Sequence, residues 1–161
     1  MSIVRTGIGF DAHRLVEGRK LILGGVVIKH EFGLDGHSDA DVLCHAVIDA
    51  ALGAVADGDI GMHFPDNDST WKDADSLDLL AEVRDRVAAK RARIVNVDST
   101  VIAEAPQLSP HVVAMRENIA RSLNLSPDRV SVKATTVEGM GAFGRREGIA
   151  ALATVTVEQT I

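Results

Sequence analysis

Apolar residues recur with two different periods along this 161-residue chain, and the switches between them predict the order of its elements. Residues 3–10 and 20–31 are rich in Ile and Val and predict strands, with Gly24-Gly25 marking a bend or bulge in the second. The polar loop Gly36-His37-Ser38-Asp39 leads into a helix over roughly residues 39–56, for which Asp39 is the candidate N-cap. A turn-rich stretch from Asp57 to Asp68 predicts an ordered functional loop. Leu77, Leu80, Val83 and Val87 then repeat at helical spacing in a helix that starts near Ser76, with Lys90-Arg91 in its last turn. Residues 94–104 predict another strand. Ser109-Pro110 supplies an N-cap and a first-turn proline for a helix ending near Leu123. Two last strands, near 129–136 and 149–158, bracket a glycine-rich loop from Glu138 to Arg146. No repeat or Pro/Ser-rich linker divides the chain, so residues 1–161 are expected to form one α+β domain.

Composition narrows the classes. Apolar residues make up 46% of the chain, enough for a sizeable core, but only 3% are aromatic, so the core must be aliphatic. A platform for stacking nucleic-acid bases lacks material, and a net charge of −6 is the wrong sign for gripping a phosphate backbone. No nucleic acid is expected as a partner. Any anionic ligand must be held by a local device such as a metal, a helix N-terminus or a few placed cations. Cys44 is the only cysteine, which rules out an intramolecular disulfide and reads as a small buried helix residue rather than a metal ligand. The N-terminus begins as a strand, and no segment approaches the ~20 apolar residues needed to span a bilayer. The expectation is a soluble, cytoplasmic protein with no membrane partner.

Three groups of residues can carry chemistry. Asp11 and His13 stand two apart at the predicted end of the first strand, so they share a face. Asp41, His45 and Asp49 follow at intervals of four along an otherwise apolar helix, which aligns them in a stripe. If strand end and helix meet, Asp11, His13 and His45 offer two nitrogens and one oxygen, a set suited to zinc or a similar divalent ion with one position left open. Separate hydrogen-bonded histidines are the alternative. His37, beside Ser38 and the helix start, sits where an anion would dock; His30 and His111 read as surface residues. The second group, Lys133-Ala134-Thr135-Thr136-Val137-Glu138, lies where a strand gives way to the glycine-rich loop. Its hydroxyls and N–H groups suit phosphate oxygens, and Glu138 suits a phosphate-held Mg²⁺, although an ordinary strand end would look the same. The third, Ala103-Glu104-Ala105-Pro106-Gln107-Leu108, is either a connector or a turn small enough for a flat ring to approach.

These pieces occur in an order that resembles the methylerythritol cyclodiphosphate synthase family along essentially the whole chain. The carriers are Gly-Phe-Asp-Ala-His at 9–13, Leu-Asp-Gly-His-Ser-Asp-Ala-Asp-Val-Leu-Cys-His at 34–45, Asp-Gly-Asp-Ile-Gly at 57–61 and Phe-Pro-Asp-Asn-Asp at 64–68. Ala-Pro at 105–106, Val-Lys-Ala-Thr-Thr at 132–136 and Gly-Arg-Arg-Glu-Gly-Ile-Ala at 144–150 complete the set. One departure stands out: the family commonly reads Gly-Phe-x-Gly-Arg in the last loop, whereas this chain has Gly141-Ala142-Phe143-Gly144-Arg145.

The resemblance implies a homotrimer of ferredoxin-like α/β sandwich subunits, each a mixed sheet with helices on one face, and three active sites at subunit boundaries. It implies Zn²⁺ on Asp11, His13 and His45, with Mn²⁺ or Co²⁺ as substitutes, and Mg²⁺ on Glu138 with the substrate diphosphate. His37 and Thr136 match positions that stabilise the transition state. Ser38, Asp49, Asp59, Gly61 and the run Phe64, Pro65, Asp66, Asn67, Asp68 match positions holding the methylerythritol phosphate part, and Asp11, His13, His37 and Ile60 match further substrate-binding positions. Ala103, Glu104, Ala105, Pro106, Gln107, Leu108 and Ser109, with Ala134, Thr135 and Thr136, match the cytidine-diphosphate pocket, Val137 and Glu138 match further substrate-binding positions, and Arg145 lies near the phosphates. The implied reaction converts 4-diphosphocytidyl-2-C-methyl-D-erythritol 2-phosphate to 2-C-methyl-D-erythritol 2,4-cyclodiphosphate and CMP. The same ligand set would also serve a zinc-dependent nucleotide-diphosphate hydrolase, and a trimeric binding module without catalysis is the third reading.

Overall fold

The computed structural model covers residues 1–161. Strand β1 runs from Ser2 to Glu17, well past its predicted end, because its neighbours keep supplying partners. Arg14 still pairs with Gly148 of β7 (Gly148–Thr160), and Leu15 to Glu17 pair with the short β4 (Phe32–Leu34). Asp11 and His13 are therefore mid-strand residues rather than strand-end residues. With β5 (Ala92–Ile102) and β6 (Val130–Thr135), the sheet order is β4-β1-β7-β5-β6. Only β5 and β6 are parallel, joined by a crossover through helix α4 (Val112–Ser122); the other neighbours are antiparallel.

The mixed sheet of a single α+β domain is thus present, but its chain order differs from the ferredoxin-like expectation. A ferredoxin-like fold reads β-α-β-β-α-β. Here α1 (Val42–Ala54) and α3 (Ser76–Ala89) both intervene before β5, and the last two long strands follow α4. The segment expected as one strand over 20–31 is a separate hairpin, β2 (Leu21–Leu23) and β3 (Val26–Ile28). Gly24 and Gly25 form its two-residue turn, with φ of +55° and +68°, the left-handed pair that such a turn requires. Short helices α2 (Ile60–His63) and α5 (Gly141–Gly144) lie in segments expected to be loops.

Helix starts also differ from expectation. Asp41, not Asp39, caps α1, accepting the Cys44 N–H at 3.1 Å. Its fully buried carboxylate also takes the N–H groups of Gly24 and Gly25 at 3.0 and 2.7 Å, which ties the hairpin turn to the helix. Asp41 therefore leaves the Asp41-His45-Asp49 stripe and serves the fold. Ser109 is not a cap either: a 3₁₀ turn over Ser109–His111 precedes α4, starts after Leu108 and has no side-chain cap.

Helix α1 is apolar all round because it is covered all round, by β1 and β7 beneath and by α3 beside it. Its seat on β1 is made of glycine. A Cβ on Gly7 would lie 2.0 Å from the Ala50 carbonyl oxygen, and one on Gly9 would lie 2.0 Å from that of Ala46. The large residues of β1 point the other way: Val4, Ile8 and Phe10 are 73%, 68% and 55% exposed on the face without helices. Replacing Gly9 by Ala should force helix and strand apart at a cost of about 3 kcal/mol, the upper range for overpacking. A urea unfolding midpoint within error of the parent's would contradict this close approach.

Candidate metal and substrate site

Because β1 alternates sides, Asp11 and His13 share the face of Gly9 and look toward α1. Residue 45 of α1 adjoins Ala46, whose carbonyl rests on Gly9, so His45 is delivered beside them. Asp11 Oδ2 lies 2.8 Å from His13 Nε2 and 3.0 Å from His45 Nδ1, and the two ring nitrogens are 3.3 Å apart. These three ligand atoms, two nitrogens and one oxygen, fit one divalent ion, and Cys44 takes no part. Burial pushes the Cys44 thiol well above its ordinary value, so it is inert as a ligand.

Charge in the cluster is strongly coupled. Burial works against the charged form of Asp11, yet the two imidazoles beside it, His13 and His45, hold its carboxyl well below the usual range. Burial also opposes the His13 imidazolium, but the hydrogen bond and charge of Asp11, with the Asp35 backbone carbonyl, raise it above its ordinary 6.5. A cavity of about 200 Å³ opens over the cluster, lined by residues that include His37, Ser38, Ile60, Gly61, Phe64 and Asp66.

The loop after α1 builds the far wall. Asp49, one turn beyond His45, accepts the Ile60 N–H at 2.7 Å, and burial raises its carboxyl. It supports the loop from behind and does not line the cavity. Asp59 caps α2 through the Met62 N–H at 3.0 Å. Phe64 is buried edge-on against Trp71 at 4.9 Å. Asp68 caps the 3₁₀ turn over Ser69–Trp71, and its carbonyl accepts from His37 Nε2 at 3.0 Å. That bond orients His37 toward the loop. The α1 N-terminus beside it is capped by Asp41. Of the other wall residues, Pro65 and Asn67 do not line the cavity, while Gly36, Trp71 and Leu79 do. These three escaped the sequence reading; a lone Trp just past a functional loop was the one available signal.

A second cavity of about 380 Å³ lies between Ala103–Ser109 and Ala134–Thr136. The Ala103 N–H donates to the Thr135 carbonyl at 3.0 Å, which brings the two segments together. Glu104 Oε1 accepts the N–H groups of Val137 and Gly139 at 2.8 and 3.2 Å, shaping the start of the glycine-rich loop. The Thr136 hydroxyl donates to Glu138 at 3.2 Å, and Arg145 pairs with Glu147 at 2.7 Å. Ala105 and Val137 do not line this cavity, and it shares no residue with the first. Glu138 stands apart from the Asp11, His13 and His45 group.

A mixed sheet with a metal-ready carboxylate and two imidazoles between its second-from-edge strand and its central helix defines a class, and the chain belongs to the YgbB family, whose model matches residues 4–158. The relatives it resembles are 2-C-methyl-D-erythritol 2,4-cyclodiphosphate synthases. That of Syntrophomonas wolfei is 58% identical over 97% of this chain and 99% of its own length. That of Salinibacter ruber is 60% identical over 96% of this chain and 99% of its own. Among solved structures, the chain superposes on IspF of Plasmodium falciparum in complex with CDP with a TM-score of 0.84, at 33% identity and covering 98% of this chain and 97% of that one. The bifunctional IspDF of Campylobacter jejuni matches with a TM-score of 0.95 at 43% identity, over 99% of this chain but only 43% of the larger one. The chain is an enzyme of this lyase class.

Proton and metal must compete for the same lone pairs. In the metal-free protein the raised His13 contributes stability that is fully present below 6.5 and is lost as pH rises through the higher folded value. Metal binding runs the other way, since it needs the unprotonated ring. Zinc affinity, measured by competition with a chelator across pH, should therefore fall as pH drops through the raised His13 value. A flat profile there would remove His13 from the ligand set.

Proposed function

We propose that this chain converts 4-diphosphocytidyl-2-C-methyl-D-erythritol 2-phosphate to 2-C-methyl-D-erythritol 2,4-cyclodiphosphate, releasing CMP. The observation that carries the proposal is the convergence of Asp11, His13 and His45 under an open cavity, in a chain of this family. In the proposed reaction the 2-phosphate attacks the β-phosphorus of the cytidine diphosphate, and the bond to the CMP oxygen breaks. A phosphate monoester has its second pKa near about 6, so the nucleophile is largely ionised at neutral pH and needs no strong base. That requirement agrees with a site that offers histidines and carboxylates but no activated serine or cysteine nucleophile.

Zn²⁺ on Asp11, His13 and His45, and Mg²⁺ with Glu138, would supply Lewis-acid polarisation of phosphoryl oxygens. The residues themselves have the work of holding and folding the substrate. Ile60, Gly61, Phe64 and Asp66 face the cavity and suit the methylerythritol diol, with Asp49 fixing that wall through Ile60. His37 and Thr136 are proposed to stabilise the transition state. Ala103–Ser109 with Ala134–Thr136 suit the cytidine end. Ring closure is intramolecular, so holding the substrate in a near-attack shape can lower the barrier by about 7–11 kcal/mol in well-oriented cases.

The two cavities have separate linings in one chain, which supports a site completed between subunits. The exposed Val4, Ile8 and Phe10 supply an apolar face that assembly would cover. We therefore propose a homotrimer, with small molecules as its only other partners, working in the cytoplasm; no helix is long and apolar enough to cross a membrane. Sedimentation equilibrium should return three times 17.1 kDa. A monomer that retained full activity would refute the shared site.

The reaction itself is tested by incubating the protein with the proposed substrate and Mg²⁺, with and without a chelator, and reading products by phosphorus NMR. CMP with a cyclic diphosphate is expected, abolished by chelator and lost by at least about a hundredfold in His45→Ala, since second-shell changes alone reach that scale. CMP with an open-chain phosphate would instead identify a hydrolase.

A further inference from the structure

His45 is held from both ring nitrogens, and the proton count on the side away from Asp11 has one solution. The hydroxyl of Ser76, the first residue of α3 and fully buried, lies 2.9 Å from His45 Nε2 and 2.5 Å from Asp39 Oδ1. The Asp39 carboxylate also receives the backbone N–H groups of Ser76 at 3.0 Å and Asp41 at 3.1 Å, so every partner of that carboxylate is a donor. A serine hydroxyl has a single proton. It goes to Asp39, and Ser76 Oγ is left to accept from His45 Nε2–H. Ser38 Oγ, 3.1 Å from the same nitrogen, accepts the Ala40 N–H at 3.2 Å and has a second lone pair available to share the Nε2 proton. Neutral His45 must then carry its proton on Nε2. Its lone pair is on Nδ1, the atom that faces Asp11 and His13.

We propose that Asp39 and Ser76 are positioning residues for the metal site: a carboxylate–hydroxyl–imidazole chain that fixes the tautomer and ring orientation of His45 and so sets the cluster's affinity for a divalent cation. The chain links three elements, since Asp39 precedes α1, Ser76 opens α3 and His45 lies on α1. Neither residue touches the cavity over the cluster, so their effect on the reaction passes through His45. Outer partners of this kind change metal affinity by about 10–100-fold when removed. The inference rests on the metal reading of the cluster, and the test separates the two.

In the metal-free protein in alkaline buffer, ¹⁵N NMR of the imidazoles should show His45 Nε2 protonated and Nδ1 bare. Asp39→Asn keeps the shape but puts an amide donor beside Ser76, which would turn the hydroxyl toward His45 and exchange the two nitrogen signals. Ser76→Ala and Asp39→Asn, checked for folding by circular dichroism, should each bind Zn²⁺ about 10–100-fold more weakly in chelator competition. His45 protonated on Nδ1 in the unmodified protein would overturn the inference even if neither variant folds. So would folded variants that bind Zn²⁺ within about twofold of the parent. An unmodified protein that takes up no Zn²⁺ would instead overturn the metal reading, and this inference with it.

Discussion

Strand β1 meets helix α1 backbone against backbone, at Gly7 and Gly9, with the carbonyls of Ala46 and Ala50 standing where side chains would otherwise be. No other residue type leaves that space, and the separation of the two elements follows from it. Two periodicities then fix what faces what. Along the strand, the positions two and four beyond Gly9 on the same side are Asp11 and His13; along the helix, the residue before Ala46 is His45 and the residue before Ala50 is Asp49. The candidate metal cluster is a consequence of that seat. A helix raised by even one methyl layer would take His45 out of reach of Asp11.

The second constraint is polar and sits at the head of α1. Two carboxylates separated by one residue divide the work. Asp41 is entirely buried, and burial raises its carboxyl, an unfavourable position offset by three backbone N–H groups from the hairpin turn and the helix. Asp39 turns the other way, toward α3, through the N–H and hydroxyl of Ser76. Hairpin, central helix and second helix are thus tied at one point, beside the His45 ring. Arg19 adds a further tie by donating to the Ser38 carbonyl at 2.8 Å. Precise placement of ligands in a site depends on supports of this sort rather than on the ligands alone.

Much of this was legible in the sequence, for a physical reason. Asp11 with His13, and His45 with Asp49, are local patterns whose geometry follows from element type, so a metal-ready cluster could be anticipated without knowing the fold. What could not be anticipated depended on distant partners. The same spacing rule put Asp41 in the stripe, but Gly24 and Gly25 claim it. Val4, Ile8 and Phe10 mark β1 as a strand correctly, yet they occupy its outer face while Gly7 and Gly9 occupy the core face, an inversion that hydropathy alone reads the wrong way round. Strand β1 outlasted its apolar run because β7 and β4 pair with its polar half. Ser76 looked like an ordinary helix start, and nothing local connects it to a histidine thirty-one positions earlier. The ferredoxin-like topology failed for the same cause: strand order is a property of pairings, and local pattern does not encode it.

The donor set also bears on how an acidic protein can manage an anionic ligand. With a net charge of −6, the chain has no broad positive field to offer. One carboxylate and two neutral imidazoles would leave a bound divalent ion with about one unit of uncancelled positive charge, whereas a site of four thiolates would leave it negative. The cavity opens over these three ligand atoms, so a bound ion would present that surplus to whatever occupies it. The proton on His45 Nε2, directed into the Ser76 and Asp39 chain, lies on the opposite side and leaves that surplus intact. Asp66 on the cavity wall then repels phosphate and favours hydroxyls. Positive charge at one end and a carboxylate at the other would orient a molecule that has phosphates at one end and a diol at the other, before any specific contact is counted.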